Sequence, residues 1–200
     1  MVVVNLSLLE RLLADKVVKG VFLNIAKEGS LFSDPIDELD KQMKEFRKRS
    51  DYDGLPQEVF YLASRLTPLV NVDLLIKDEN GRSLLSWRDD EFGNKGWHVP
   101  GGIVRVKEVL TDRVEKVSNI EIGCIVDYKP KPIAVNQIIR NRDNCCHYVS
   151  FLYDCFLSSD FTINNDSLSK MTPGFLKWHD NCPKDLISAH EIYKDFIDGL

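Results

Sequence analysis

The chain lacks most of the features that would set it apart from ordinary globular proteins. None of its five cysteines, at positions 124, 145, 146, 155 and 182, stands in a Cys-x-x-Cys spacing, which argues against a structural zinc site. Any pairing leaves one over, and adjacent Cys145 and Cys146 would point to opposite faces of a strand, so free thiols in a reducing compartment are expected. There is no surplus of cations. With 26 Lys and Arg against 31 Asp and Glu the net charge is −5, so no nucleic-acid partner is expected. Long apolar runs are also missing. Residues 1–13 have no basic start, and Glu10, Arg11, Asp15 and Lys16 soon interrupt the hydrophobic stretch. Neither a signal peptide nor a membrane contact is expected, and the expected location is cytoplasmic. Repeats and low-complexity segments are absent too, which excludes solenoids and disordered linkers.

What is present divides near residue 68. Leu9, Leu12, Leu13, Val17, Val21 and Ile25 recur at helical spacing over residues 5–27. Asp34-Pro35 opens a second, charged helix over 36–48, and a third runs from 58 to 66, where Pro68 stops it. Residues 1–67 therefore read as a helical extension, suited to packing, a lid or dimerisation. From there the pattern changes to strands. Residues 69–76 are β-rich, Asn80-Gly81 signals a hairpin turn, and 83–87 return as the partner strand. A helix over about 109–119, strands over 125–140, 146–157 and 175–178, and a closing helix over 184–196 follow. The expectation is an α/β domain over 68–200 with a mixed sheet between helices.

The stretch that carries chemistry begins at Trp97-His98-Val99-Pro100-Gly101-Gly102. Five residues separate Gly102 from Glu108, and seven more separate Glu108 from Lys116, after which comes Glu121-Ile122-Gly123-Cys124. This spacing resembles the Nudix hydrolase family, whose box reads Gly, five residues, Glu, seven residues, Arg-Glu-apolar-any-Glu-Glu-any-Gly-apolar. The resemblance implies the Nudix α/β/α sandwich and hydrolysis of a nucleoside diphosphate linked to another group. It also implies Mg²⁺, or Mn²⁺ in its place, as cofactor. On an α-helix, positions 117, 120 and 121 share one face, where three carboxylates would gather cations that neutralise a departing diphosphate. Here they read Val117, Ile120 and Glu121, so two of the three carboxylates are missing.

A similar loss marks the GDP-mannose mannosyl hydrolase branch, which this box resembles most. That resemblance implies a nucleotide-sugar substrate. A single cation would be held by Glu121, the Gly101 carbonyl and Gln137, and Arg88 would pair with diphosphate oxygens. His98 and Gly102 are further substrate-contact residues, while Glu108 is expected to brace the loop before the helix. Two positions depart from the branch. Ile103 replaces its second arginine and Ile138 its general-base histidine, which leaves His147, Glu91 or Asp143 as substitutes. His179 is expected to be structural or adjacent to substrate, and His190 exposed on the closing helix. A homodimer is expected. The rival expectation is a scaffold that has lost catalysis and binds a nucleotide or a protein partner.

Overall fold

Pro68 stops helix α1 (Gln57–Leu66) because its ring disfavours the helical conformation in the residue before it. Strand β1 (Leu69–Lys77) comes next, and its five central residues, Val72 to Ile76, are all buried. A strand covered on both faces reads as an almost unbroken apolar run rather than an alternation. The computed structural model describes residues 41, 44, 57–90, 95–140 and 147–200. The expected helix over 5–27 lies outside the described residues, as does that over 36–48 apart from Lys41 and Lys44, which are helical. Glu91, Asp143, Cys145 and Cys146 lie outside them as well.

The Asn80-Gly81 turn is present, with Gly81 at φ +78°, but it is wider than a two-residue hairpin because the strands close at the Lys77–Ser83 pair. Buried Asp78 organises the five-residue loop. Its Oδ1 accepts the N–H groups of Asn80 at 3.0 Å and Arg82 at 2.8 Å. Strand β2 (Ser83–Asp89) then leaves β1 and pairs antiparallel with β3 (Lys95–His98) and β8 (Leu176–His179). Along that same edge β1 takes β4 (Gly101–Ile103) antiparallel, and on its opposite edge β7 (His147–Phe156) parallel. β5 (Asp127–Tyr128) and β6 (Ala134–Ile139) pair with β7, completing a mixed eight-stranded sheet among the described residues. The strand expected over 125–140 is split in two because Pro130 and Pro132 remove two ladder donors.

Helix α2 (Leu110–Val117) covers one sheet face, with Val114 and Val117 packed on Val72, Leu74, Ile76 and Tyr153. The other face buries Leu75, Leu85, Trp87, Trp97, Val99 and Leu152 with Tyr193 and Ile197 from the C-terminus. The closing segment differs from the expected continuous helix. Leu186 makes a parallel bridge to Trp97, a 3₁₀ stretch runs over Ser188–Tyr193, and only Lys194–Asp198 (α3) is α-helical. The result is the expected α/β architecture, a mixed sheet with helices on both faces.

Candidate active site

Adjacent residues on a strand point to opposite faces, and β3 uses this to divide two aromatic rings. Trp97 enters the C-terminal core, edge-on to Trp87 at 5.2 Å. His98, only 9% exposed, therefore turns to the α2 side. There its Nε2 lies 3.4 Å from Oε2 of Glu121.

Glu121 reaches that position from a wide turn. After α2 the chain winds as a π-helix over Ser118–Ile122, and the Gly123 N–H bonds both the Ser118 and Asn119 carbonyls before the backbone turns left-handed at φ +87°. Such a turn breaks the i, i+3, i+4 register of an α-helix, and π turns are frequent at functional sites. The face expected to join 117, 120 and 121 is accordingly divided. Val117 is buried in the core, whereas Ile120, 67% exposed, lines a cavity together with Glu121.

The two glycines have separate reasons to be glycine, and neither is a positive φ. A Cβ on Gly101 would lie 2.1 Å from Oδ1 of Asp73, and one on Gly102 would lie 2.7 Å from Cγ2 of Val117. The strand thus passes between a buried carboxylate and the α2 core with no room for a side chain. Ladder bonds run from Leu74 N–H to the Pro100 carbonyl and from Val104 N–H to the Val70 carbonyl, so the Asp73–Gly101 pair between them is a non-bonded one. Both polar groups of Gly101 therefore turn away from β1. Its N–H donates to Oε1 of Glu121 at 3.2 Å, and its carbonyl lies along the same edge.

Glu121, Gly101, His98 and Arg88 line one cavity of about 700 Å³, walled by Ser86, Ile120 and the segment carrying Asn164, Leu168 and Pro173. Arg88 bonds Asp90 at its rim. Gly102 does not line this cavity among the described residues, nor does Gln137. Gln137 stands on the outer face of β6 with Nε2 2.8 Å from Nε2 of His147, and it lines a second cavity of about 390 Å³ with Arg140 and Ser188. Glu108 braces the loop as expected. It accepts the Arg105 N–H, Arg113 and Lys116, each at 2.8 Å. Burial raises its pKa, but the bonds from Lys116, Arg105 and Arg113 outweigh that and hold it at about 2.

Sequence reasoning missed the groups behind the site. Asp73, 1% exposed, accepts hydrogen bonds from Ser150, Tyr193 and Asn71. Burial lifts its carboxyl to about 6 against the opposing pull of those donors. His190 corrects an expectation, since it is 8% exposed rather than exposed, and its Nδ1 accepts the Val99 N–H at 3.0 Å. The 3₁₀ winding turns it inward, and burial, with His98, Arg88 and Arg140 near, holds its pKa well below the usual value. His179 is structural, packed edge-on against Trp97 at 4.5 Å and lowered to about 4 by burial and then by Lys177. Arg88 and Arg140 also both act on Tyr148, whose hydroxyl burial pushes up.

Cations could draw here on the Glu121 carboxylate, the outward Gly101 carbonyl and His98. No three His, Cys, Asp or Glu side chains converge among the described residues. The donor set suits one divalent cation and not a cluster.

No family model matches the chain. A 97-residue segment, 46% of the chain, is 33% identical to the low-salt glycan biosynthesis protein Agl8 of Haloferax volcanii and spans 62% of that relative's length. Among solved structures, the MutT Nudix hydrolase of Burkholderia pseudomallei superposes with a TM-score of 0.51 at 24% identity, covering 64% of this chain and 97% of that one. A Nudix-family hydrolase of Clostridium perfringens gives 0.50 at 18% identity over 66% and 95% of the two chains. The eight strands among the described residues, α2 on one sheet face and these superpositions together make this an α/β domain with the Nudix hydrolase fold.

Proposed function

We propose that the chain is a Mg²⁺-dependent hydrolase of a nucleoside diphosphate linked to another moiety, with a nucleotide sugar such as GDP-mannose as the favoured substrate. The observation that carries this reading is the meeting of Glu121, the outward edge of Gly101, His98 and Arg88 in one cavity. About 700 Å³ is within the range for small-molecule sites. The similarity to a glycan biosynthesis protein accords with a sugar-bearing substrate.

In this reading Arg88 binds diphosphate oxygens through its planar fork, exchanging Asp90 for substrate. Glu121 and the Gly101 carbonyl hold the cation. Gln137, on the other cavity, is left out of the shell. A bound divalent cation supplies the charge that stabilises the departing diphosphate. The Gly101 N–H orients the Glu121 carboxylate, and Glu108 fixes the loop between the glycines and α2. On the same reading the protein is a cytoplasmic homodimer and its ligand is a nucleotide derivative.

One observation favours a second reading. Val117 is committed to the core and Ile120 presents hydrocarbon to the cavity, as suits a fold that binds nucleotides without hydrolysing them. Turnover of a panel of nucleotide sugars and other nucleoside diphosphate derivatives separates the two. The first reading expects Mg²⁺-dependent release of products and a loss of at least about a hundredfold in kcat for Glu121→Gln. Nucleotide binding without metal-dependent turnover would establish the second.

A further inference from the structure

Resting on the metal reading above, we propose that His98 supplies a third protein donor, Nε2, to the cation held by Glu121, and that the site therefore prefers Mn²⁺ to Mg²⁺. Three observations lead there. The imidazole is buried, yet neither nitrogen has a firm hydrogen bond among the described residues. Nδ1 has no partner, and Nε2 stands 3.4 Å from the Glu121 carboxylate. That separation is long for a charge-assisted bond, which lies at about 2.7–2.9 Å. It does match two donors sharing one ion. Ligands each about 2.1 Å from a metal stand roughly 3.0 Å apart at an octahedral right angle and roughly 3.4 Å apart at a tetrahedral one.

The backbone holds this arrangement in place. His98 is paired across to Ser86, and Trp97 before it is held to the 185–187 segment, donating its N–H to Asp185 and accepting the Ile187 N–H, each at 2.9 Å. The neighbouring His190 ring is 6.0 Å away and uses Nδ1 to accept the Val99 N–H, so it does not compete for the cation through that nitrogen. A carboxylate, a carbonyl and an imidazole form a mixed oxygen and nitrogen set. Mg²⁺ favours oxygen, whereas imidazole suits transition metals.

The test uses the full chain freed of metal and titrated with Mn²⁺ or Mg²⁺. Calorimetry supplies the affinities, and electron spin-echo modulation of bound Mn²⁺ reports coordinated nitrogen. The expected result is Mn²⁺ binding at least about tenfold tighter than Mg²⁺, with the modulation of a directly bound imidazole ¹⁴N. His98→Ala should abolish that modulation and weaken Mn²⁺ about tenfold or more, by a larger factor than it weakens Mg²⁺. Labelling histidine with ¹⁵N in the unmutated protein should shift the modulation frequencies, which keeps the test valid if the variant misfolds. Mn²⁺ binding that depends on Glu121 but shows no imidazole nitrogen, or keeps it in His98→Ala, overturns the inference and leaves the metal reading standing. Failure to bind Mn²⁺, or binding indifferent to Glu121→Gln, overturns both.

Discussion

The two faces of the central sheet are closed by different chemistry. Under α2 the contact is mainly hydrocarbon, with Val72, Leu74 and Ile76 against Val114 and Val117, and the charged pair Arg113–Glu108 is buried and matched in charge. Under the C-terminal segment, Leu75 and Leu85 share their face with a buried carboxylate, a serine and a tyrosine that bond one another. Apolar burial is strong and non-directional, whereas hydrogen bonds in a dry interior are exacting about angle. The first face thus supplies adhesion for α2. The second fixes the strand on which Gly101 is mounted, because Asp73 is its partner in the ladder.

That contrast can be broken most directly through Leu74, fully buried beneath α2. Leu74→Ala should destabilise by roughly 3 kcal/mol in denaturant titrations, from lost transfer energy and the cavity left behind. Tyr193→Phe, on the other face, should cost about 1–2 kcal/mol, since Asp73 keeps Ser150 and Asn71 as donors. If the tyrosine matched the leucine, polar bonds would be the main adhesive there and the contrast would fail.

The smallest effect is a difference in pH response. Asp73 sits near 6 in the fold against about 3.9 unfolded, so the native state binds the extra proton between those values and loses stability as pH rises through them. His179, near 4, and His190 act oppositely, because the unfolded chain takes up their protons as pH falls below about 6.5. The effects oppose one another in the native protein. Asp73→Asn removes one side, so its melting temperature should fall further than the parent's between about pH 6.5 and 4.5. Parallel curves would show that Asp73 does not titrate there.

Much of this was legible from sequence because it is local. Strand β1, the Asn80-Gly81 turn and the placing of Gly101, Glu108 and Glu121 rest on short-range pattern and fixed spacing. The prolines at 130 and 132 were equally visible, and reading one strand across them ignored their missing donors. The rest depends on partners far along the chain. Asp73 meets Ser150 and Tyr193 across 77 and 120 positions, and no residue pattern announces such a meeting. The resemblance matches Gln137 to a metal ligand; in the structure its amide lies 2.8 Å from His147 and it lines a different cavity from Glu121, which spacing along the chain does not reveal. The sequence marks Gly101 and Gly102 only through their place in the motif, whereas their crowding by Asp73 and Val117 needed the packed structure.

The π turn has a consequence for insertions and deletions. Between Ser118 and Ile122 the backbone carries an extra residue's length relative to an α-helical turn, and the left-handed Gly123 ends it. Removing Ser118, Asn119 or Ile120 would let α-helical bonding run through and rotate the downstream chain by about 100°. Glu121 would swing off the cavity even if every remaining amino acid were unchanged. In this short stretch the number of residues constrains the site as tightly as their identity.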